Sequence, residues 1–113
     1  MLLLTKGETK NLYLTLTEKT TIANPYYLFS FTHRQTNKQY DFILTDISTY
    51  KERYNKFSIV EKTYDFFEGE YSYIIYAQIS STNINPSLAN EIVETGLLKV
   101  QLEAQDEVFY TPN

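Results

Sequence analysis

The chain predicts an all-β fold, an antiparallel β-sandwich of about seven to nine short strands. Composition is the first observation: 11 tyrosines and 7 phenylalanines stand in 113 residues with no tryptophan and 3 glycines. Aromatic residues favour the pleated, half-buried surface of a sheet over a helix. The second observation is strict alternation of apolar and polar residues in several segments, and the third is the spacing of the turn-forming clusters between them. The length suits a single domain with one core.

Met1-Leu2-Leu3-Leu4 is apolar but stops at Thr5-Lys6-Gly7. That is too short for a signal peptide's apolar region and lacks its basic start, so it reads as a first strand of a soluble, unexported chain. Asn11 to Glu18 gives the cleanest alternation, with Leu12, Leu14 and Leu16 on one side. After the polar turn Glu18-Lys19-Thr20-Thr21, Asn24-Pro25 starts a new extended segment, because the residue before proline is pushed out of the helical region. Tyr27, Phe29 and Phe31 then face one way and Tyr26, Leu28 and Ser30 the other. Thr32 to Lys38 has no apolar residue and reads as a hairpin loop, and Gln39 to Thr45 resumes the strand with Tyr40, Phe42 and Leu44 inward.

Asp46 to Asn55 is the expected crossing between sheets, with Ser48 or Asp46 capping a single helical turn. Lys56 to Glu61 is another strand pointing Phe57 and Ile59 inward, and the aromatics of Thr63 to Glu68 plug one end of the sandwich. Glu68-Gly69 breaks the chain before the strand around which the rest is organised. Tyr71, Tyr73, Ile75 and Ala77 form its core face; Glu70, Ser72, Ile74, Tyr76 and Gln78 form a half-polar face. Such a strand sits centrally in a sheet whose second side is only partly wet. The spacing Gly69-x-Tyr71-x-Tyr73 matches the start of the sixth strand in immunoglobulin-like sandwiches, where a tyrosine bonds back to the preceding loop. Tyr71 is that tyrosine. The cysteine that would follow it is Tyr73 here, and the chain has no cysteine at all, so packing must replace an inter-sheet disulfide.

Ser80 to Asn90 is polar and reads as a long loop with a short helix from Ser87 to Asn90. Glu91 to Gly96 and Leu97 to Glu103 are the last strands, with Leu98, Val100 and Leu102 on one face. The fold is therefore an immunoglobulin-like β-sandwich over residues 1–103, followed by an extended tail over residues 104–113. Its expected core is Leu14, Phe29, Phe31, Phe42, Phe57, Tyr71, Tyr73, Ile75 and Val100.

Charge and side-chain chemistry exclude most reaction classes. A net charge of −4 and a pI near 4.9 argue against nucleic-acid binding, which needs a clustered basic stripe. No run approaches the roughly 20 apolar residues of a membrane span. Without cysteine, and with His33 alone in a polar loop, zinc sites of the usual ligand types cannot be assembled, and His33 reads as an exposed loop residue. Asp65, Glu68 and Glu70 flank a turn and read as a solvated turn. Asp46-x-Ser48 lacks the glycine and distal glutamate of a calcium loop. The sequence offers no phosphate-cradling loop, nucleophile elbow or Ser/His/Asp set. The expectation is a non-enzymatic protein without cofactor or metal.

The outward tyrosines Tyr13, Tyr26, Tyr54 and Tyr76 have three readings. They fill the far side of a sheet, they anchor a protein interface, or they stack on sugar with the polar loop supplying hydrogen bonds. The absence of tryptophan favours protein over glycan.

Four motifs taken together carry a family resemblance. Asn24-Pro25-Tyr26-Tyr27-Leu28-Phe29-x-Phe31, Asp46-x-Ser48-x-Tyr50-x-x-Arg53-Tyr54-Asn55-x-Phe57, Gly69-x-Tyr71-x-Tyr73-x-Ile75-Tyr76 and Glu94-x-Gly96-x-Leu98-Lys99-Val100 resemble a family of small virion-associated proteins of tailed phages, crAss-like and marine phages among them. The resemblance implies an immunoglobulin-like sandwich on the virion, assembled in the bacterial host cytoplasm. It would be an auxiliary or decoration protein of the capsid, or the virion-bound domain of a head fibre. A tail or adaptor component and a carbohydrate-binding module with a host glycan are the alternatives. Partners would be other virion subunits, itself among them. The apolar chain ends make Leu2, Leu3, Val108, Phe109 and Tyr110 the expected contact residues, and its outward position adds Tyr76. An extended end is tied down by adding a strand to a neighbour's edge, and many copies turn weak contacts into firm attachment.

Overall fold

The structure is a computed structural model that describes residues 2–23, 25–49 and 54–101. Among the described residues the strands are β1 (Leu2–Thr5), β2 (Thr9–Leu14), β3 (Tyr26–His33), β4 (Gln39–Leu44), β5 (Asn55–Val60), β6 (Gly69–Gln78) and β7 (Glu91–Gln101), with one α-helical turn, α1 (Glu61–Tyr64), and two 3-10 turns, Thr17–Lys19 and Pro86–Leu88. They form a five-stranded sheet in the order β1-β7-β6-β3-β4 and a two-stranded sheet of β2 and β5. This is the all-β, immunoglobulin-like sandwich that the sequence predicts, and β6 is the central strand of the larger sheet.

The core lies between the sheets because period-two alternation places one apolar row of each strand inward. Register carries the rows across strands: Phe29 sits between Phe42 and Ile75, and Phe31 between Tyr40 and Tyr73. The small sheet answers with Leu12 opposite Phe57. Phe57 meets Phe29 edge-on at 5.0 Å between ring centroids, and Phe31 meets Phe42 likewise at 5.0 Å. Each of the nine expected core residues is buried, with Leu14 at the margin. The Tyr71 hydroxyl donates to the Phe67 carbonyl at 2.6 Å, closing the tyrosine corner over the loop before β6.

Several elements depart from the sequence reading, each for a local reason. β1 runs parallel to β7 rather than antiparallel to a neighbour, with Leu2 opposite Leu98 and Thr5 opposite Gln101. Its chain then turns at Gly7, where φ is 83°, into β2 on the other sheet. The two expected last strands are one strand, β7, which passes through Gly96 without a break. A Cβ on Gly96 would lie 2.7 Å from the Tyr73 ring, so this glycine makes room for an aromatic side chain rather than a turn. β2 ends at Leu14, yet Leu16 is still buried beyond it.

The expected helical turn near Ser48 is absent among the described residues of that segment. Instead the Asp46 carboxylate accepts from the Ser48 N–H at 3.0 Å, the Lys56 N–H at 3.1 Å and Asn55 Nδ2 at 2.6 Å. Burial pushes the Asp46 carboxyl up, but these hydrogen bonds outweigh it and hold the group below the ordinary aspartate range. The helical turn falls at Glu61, expected to end a strand. The Glu61 carboxylate accepts from the Gly7 N–H at 2.6 Å, the Phe66 N–H at 2.9 Å and Lys6 Nζ at 2.6 Å, so it is buried with its charge satisfied.

His33 is the clearest correction. It is not an exposed loop residue but the last residue of β3, and it is buried. Its Nδ1 accepts from the Thr36 N–H at 3.2 Å, which leaves Nε2 to donate to the Glu68 carbonyl at 3.1 Å. The ring also stands edge-on to Tyr71 at 4.9 Å. Its polar atoms are partnered, so the imidazole is a staple between the β3–β4 hairpin and the start of β6.

Candidate protein-contact surface

The loop joining β6 to β7 begins where Gln78 closes the strand. Gln78 is buried, and its Nε2 donates to the carbonyls of Ser80 at 3.1 Å and Asn83 at 2.9 Å. Asn83 Nδ2 returns a bond to Gln78 Oε1 at 2.8 Å. Ser80 Oγ accepts from the Asn83 N–H at 2.9 Å, and Asn85 Oδ1 accepts from the Ser87 N–H at 3.0 Å to cap the short turn Pro86–Leu88. Asn90 Oδ1 takes the Ile79 N–H at 2.9 Å. Polar side chains thus satisfy the loop's own backbone, as Asn and Ser do in turns. The aliphatic side chains are left outside: Ile79, Ile84 and Leu88 are 69%, 57% and 70% exposed. This inverts the reading of a polar loop with little to bury. The signal available in the sequence was the absence of any charged residue from Tyr71 to Asn90.

The outer face of the five-stranded sheet continues the same surface. Cross-strand register aligns Ile43 of β4, Leu28 of β3, Tyr76 of β6 and Ile92 of β7 in one row. Leu28 is wholly buried although it points away from the core, because it is flanked by Ile43 on one side and Tyr76 on the other. Burial raises the Tyr76 hydroxyl above the usual phenol range, and the Asp41 charge adds to this. Ile92 remains largely exposed at the end of the row. Among outward residues of the paired strands, charge stands at Asp41 and, at the far end, at Glu70 opposite Lys99.

The expected contact residues divide as follows. Leu3 and Tyr76 share this outer face, Leu3 exposed and Tyr76 half-buried. Leu2 points the other way and packs against the core. Val108, Phe109 and Tyr110, and the tail boundary after residue 103, lie outside the described residues. The outward tyrosines do not form one row. Tyr26 and Tyr76 lie on the large sheet, whereas Tyr13 is on the small one, edge-on to Tyr54 at 5.7 Å.

Other clusters are internally satisfied. Asp65 pairs with Lys6 at 2.7 Å, which holds its carboxyl below the ordinary range, and Glu70 lies 3.7 Å from Arg34. Among the described residues no group of three His, Asp or Glu side chains is placed to hold a metal ion. A cavity of about 220 Å³ opens beside Thr17, Ile22, Tyr27, Asp46 and Asn55. Its polar side chains are already bonded: the Asn55 carbonyl oxygen accepts from the Leu16 N–H at 2.7 Å, and the Tyr27 hydroxyl meets Thr20 Oγ1 at 3.2 Å.

The fold and these surfaces define an immunoglobulin-like sandwich whose β6–β7 loop and outer-face row carry no charge and are partly apolar. No protein-family model, no curated protein and no solved structure matches the chain.

Proposed function

We propose that this chain is a non-enzymatic contact module, a structural subunit of a phage particle that attaches through its uncharged β6–β7 loop and its chain termini. The observation that carries the contact reading is the polarity of the β6–β7 loop, with amides turned inward and Ile79, Ile84 and Leu88 turned out. Side chains held out by a hydrogen-bonded loop lose little freedom when a partner covers them, so most of the apolar burial is retained as binding energy. The same arrangement favours protein over glycan, since the loop amides that a sugar would engage already bond one another.

The phage setting rests on the resemblance of the four ordered motifs. Within it the preferred place is the capsid, as a decoration protein or the virion-bound domain of a head fibre, with a tail or adaptor component as the alternative. Residues 104–113 would pack on a partner subunit with Phe109 and Tyr110 as anchors.

Mass spectrometry of purified virions tests the setting: the chain should be present at a copy number that separates capsid from tail, and absence from particles would defeat it. The double variant Ile84→Ser, Leu88→Ser tests the surface. It should melt within about 0.5 kcal/mol of the wild type, as exposed substitutions do, yet fail to attach. Undiminished attachment would remove the loop from the contact.

A further inference from the structure

We propose that the outer face of the five-stranded sheet is a self-association surface, over which two copies of this chain pack face to face across Ile43, Tyr76 and Ile92, the row that closes over the buried Leu28. The inference rests on the reading of this uncharged row and the adjoining loop as a contact surface, and it names the partner as a second copy.

Charge points to that partner. In a two-fold contact the same patch serves both copies, so residues near the axis meet their own counterparts. Any charge there would face itself, which costs several kcal/mol at a desolvated interface. The whole chain carries −4, so two copies repel over most of their surfaces. The row is free of charge, and β6 contributes none beyond Glu70. Glu70 itself is balanced by Lys99 directly across the strand pair and by Arg34 at 3.7 Å. Asp41 stands at the edge strand, where Gln39 Nε2 donates to its oxygens at 3.0 and 3.1 Å.

Area agrees with charge. At about 4.8 Å between strands and about 3.3 Å per residue, the 4, 11, 10, 8 and 6 residues of β1, β7, β6, β3 and β4 give a face of roughly 620 Å². That meets the lower limit, about 600 Å², of what each partner contributes to an interface of standard size. Among the described residues no strand or helix lies over the row, whereas the opposite face of the same sheet is covered by the core.

The test is the mass of the full chain in solution. Sedimentation equilibrium at concentrations up to about 100 µM should show a dimer with a dissociation constant near or below the micromolar range, and Ile92→Asp should weaken it by at least about 100-fold. Ile92 is largely exposed in the single chain, so an unchanged circular-dichroism melt is expected for that variant. Tyr13→Asp, on the small sheet, should leave the dimer intact. A monomeric wild type, a dimer that survives Ile92→Asp, or equal loss in both variants overturns the proposal. A monomeric chain found in virions would overturn the dimer alone, and a dimeric chain absent from virions would overturn the virion setting alone.

Discussion

Replacing Phe31 with alanine should remove a large share of the domain's stability. The side chain is wholly buried, and its ring centroid lies 5.0 Å from Phe42, 5.4 Å from Phe66, 6.3 Å from Tyr73 and 6.5 Å from both Phe29 and Tyr71. Truncating a buried phenylalanine costs about 3–5 kcal/mol in lost transfer energy and cavity. Aromatic pairs add about 0.5–1.5 kcal/mol each beyond area, non-additively, which places Phe31 at the upper end. Against a total of about 5–15 kcal/mol, a loss of about 5 kcal/mol takes from a third to all of the margin. In thermal unfolding the midpoint should fall by roughly 20 °C, because an unfolding entropy of about 2.1 cal/mol/K per residue over 113 residues gives about 4 °C per kcal/mol. Phe67→Ala is the control: the ring is half exposed, over the Lys38 ammonium at 4.6 Å, and its loss should cost under about 1 kcal/mol. Urea unfolding of the two variants side by side decides the matter. Equal midpoints would show that the ring cluster around Phe31 is not where the sandwich is held.

Two further outcomes follow from single groups. Tyr71→Phe keeps the buried ring and deletes only the hydroxyl that bonds Phe67, so it should cost about 1 kcal/mol, the usual net worth of one hydrogen bond. A loss as large as that of Phe31→Ala would mean that the corner does far more than close a loop. The Asp46 carboxyl lies below its unfolded value, so its ionised form favours folding: the contribution is complete above about pH 4, the unfolded carboxylate range, and is lost as pH falls through the folded value. Melting curves of wild type and Asp46→Asn should therefore run parallel near neutral pH and converge in acid. A gap that widens on acidification would reverse the assignment.

What the sequence made legible was whatever depends on alternation. Period two identified β6 and the inward rows of β3, β4 and β5, because a strand that slips by one residue exposes its whole apolar set. The tyrosine corner was readable from Gly69-x-Tyr71 because its partner lies within the same loop. Contacts between distant residues were not readable. His33 sits among polar neighbours, and only the fold brings Glu68 and Thr36 to its two nitrogens. Gly96 resembles a strand break until Tyr73 is seen across from it. Of the proposed contact surface, the sequence reading names Tyr76 and Leu3, whereas Ile79, Ile84 and Leu88 are hidden among asparagines and serines. Which side chains a loop turns inward depends on carbonyls that only the closed loop presents, such as those of Ser80 and Asn83 to Gln78.

The parallel pairing of β1 with β7 has a mechanical meaning. Leu2 lies beside Leu98 and Thr5 beside Gln101, and the Lys6 N–H reaches the Gln101 carbonyl at 2.8 Å just past the last pair. Leu2 and Gln101 lie at opposite ends of this shared ladder. A pull on the two ends in opposite directions therefore slides the strands along each other. Every rung of the ladder bears that load at once, in shear, rather than opening one after another as in a peeled hairpin. A sandwich loaded in this way resists traction along its length far better than its equilibrium stability alone would suggest.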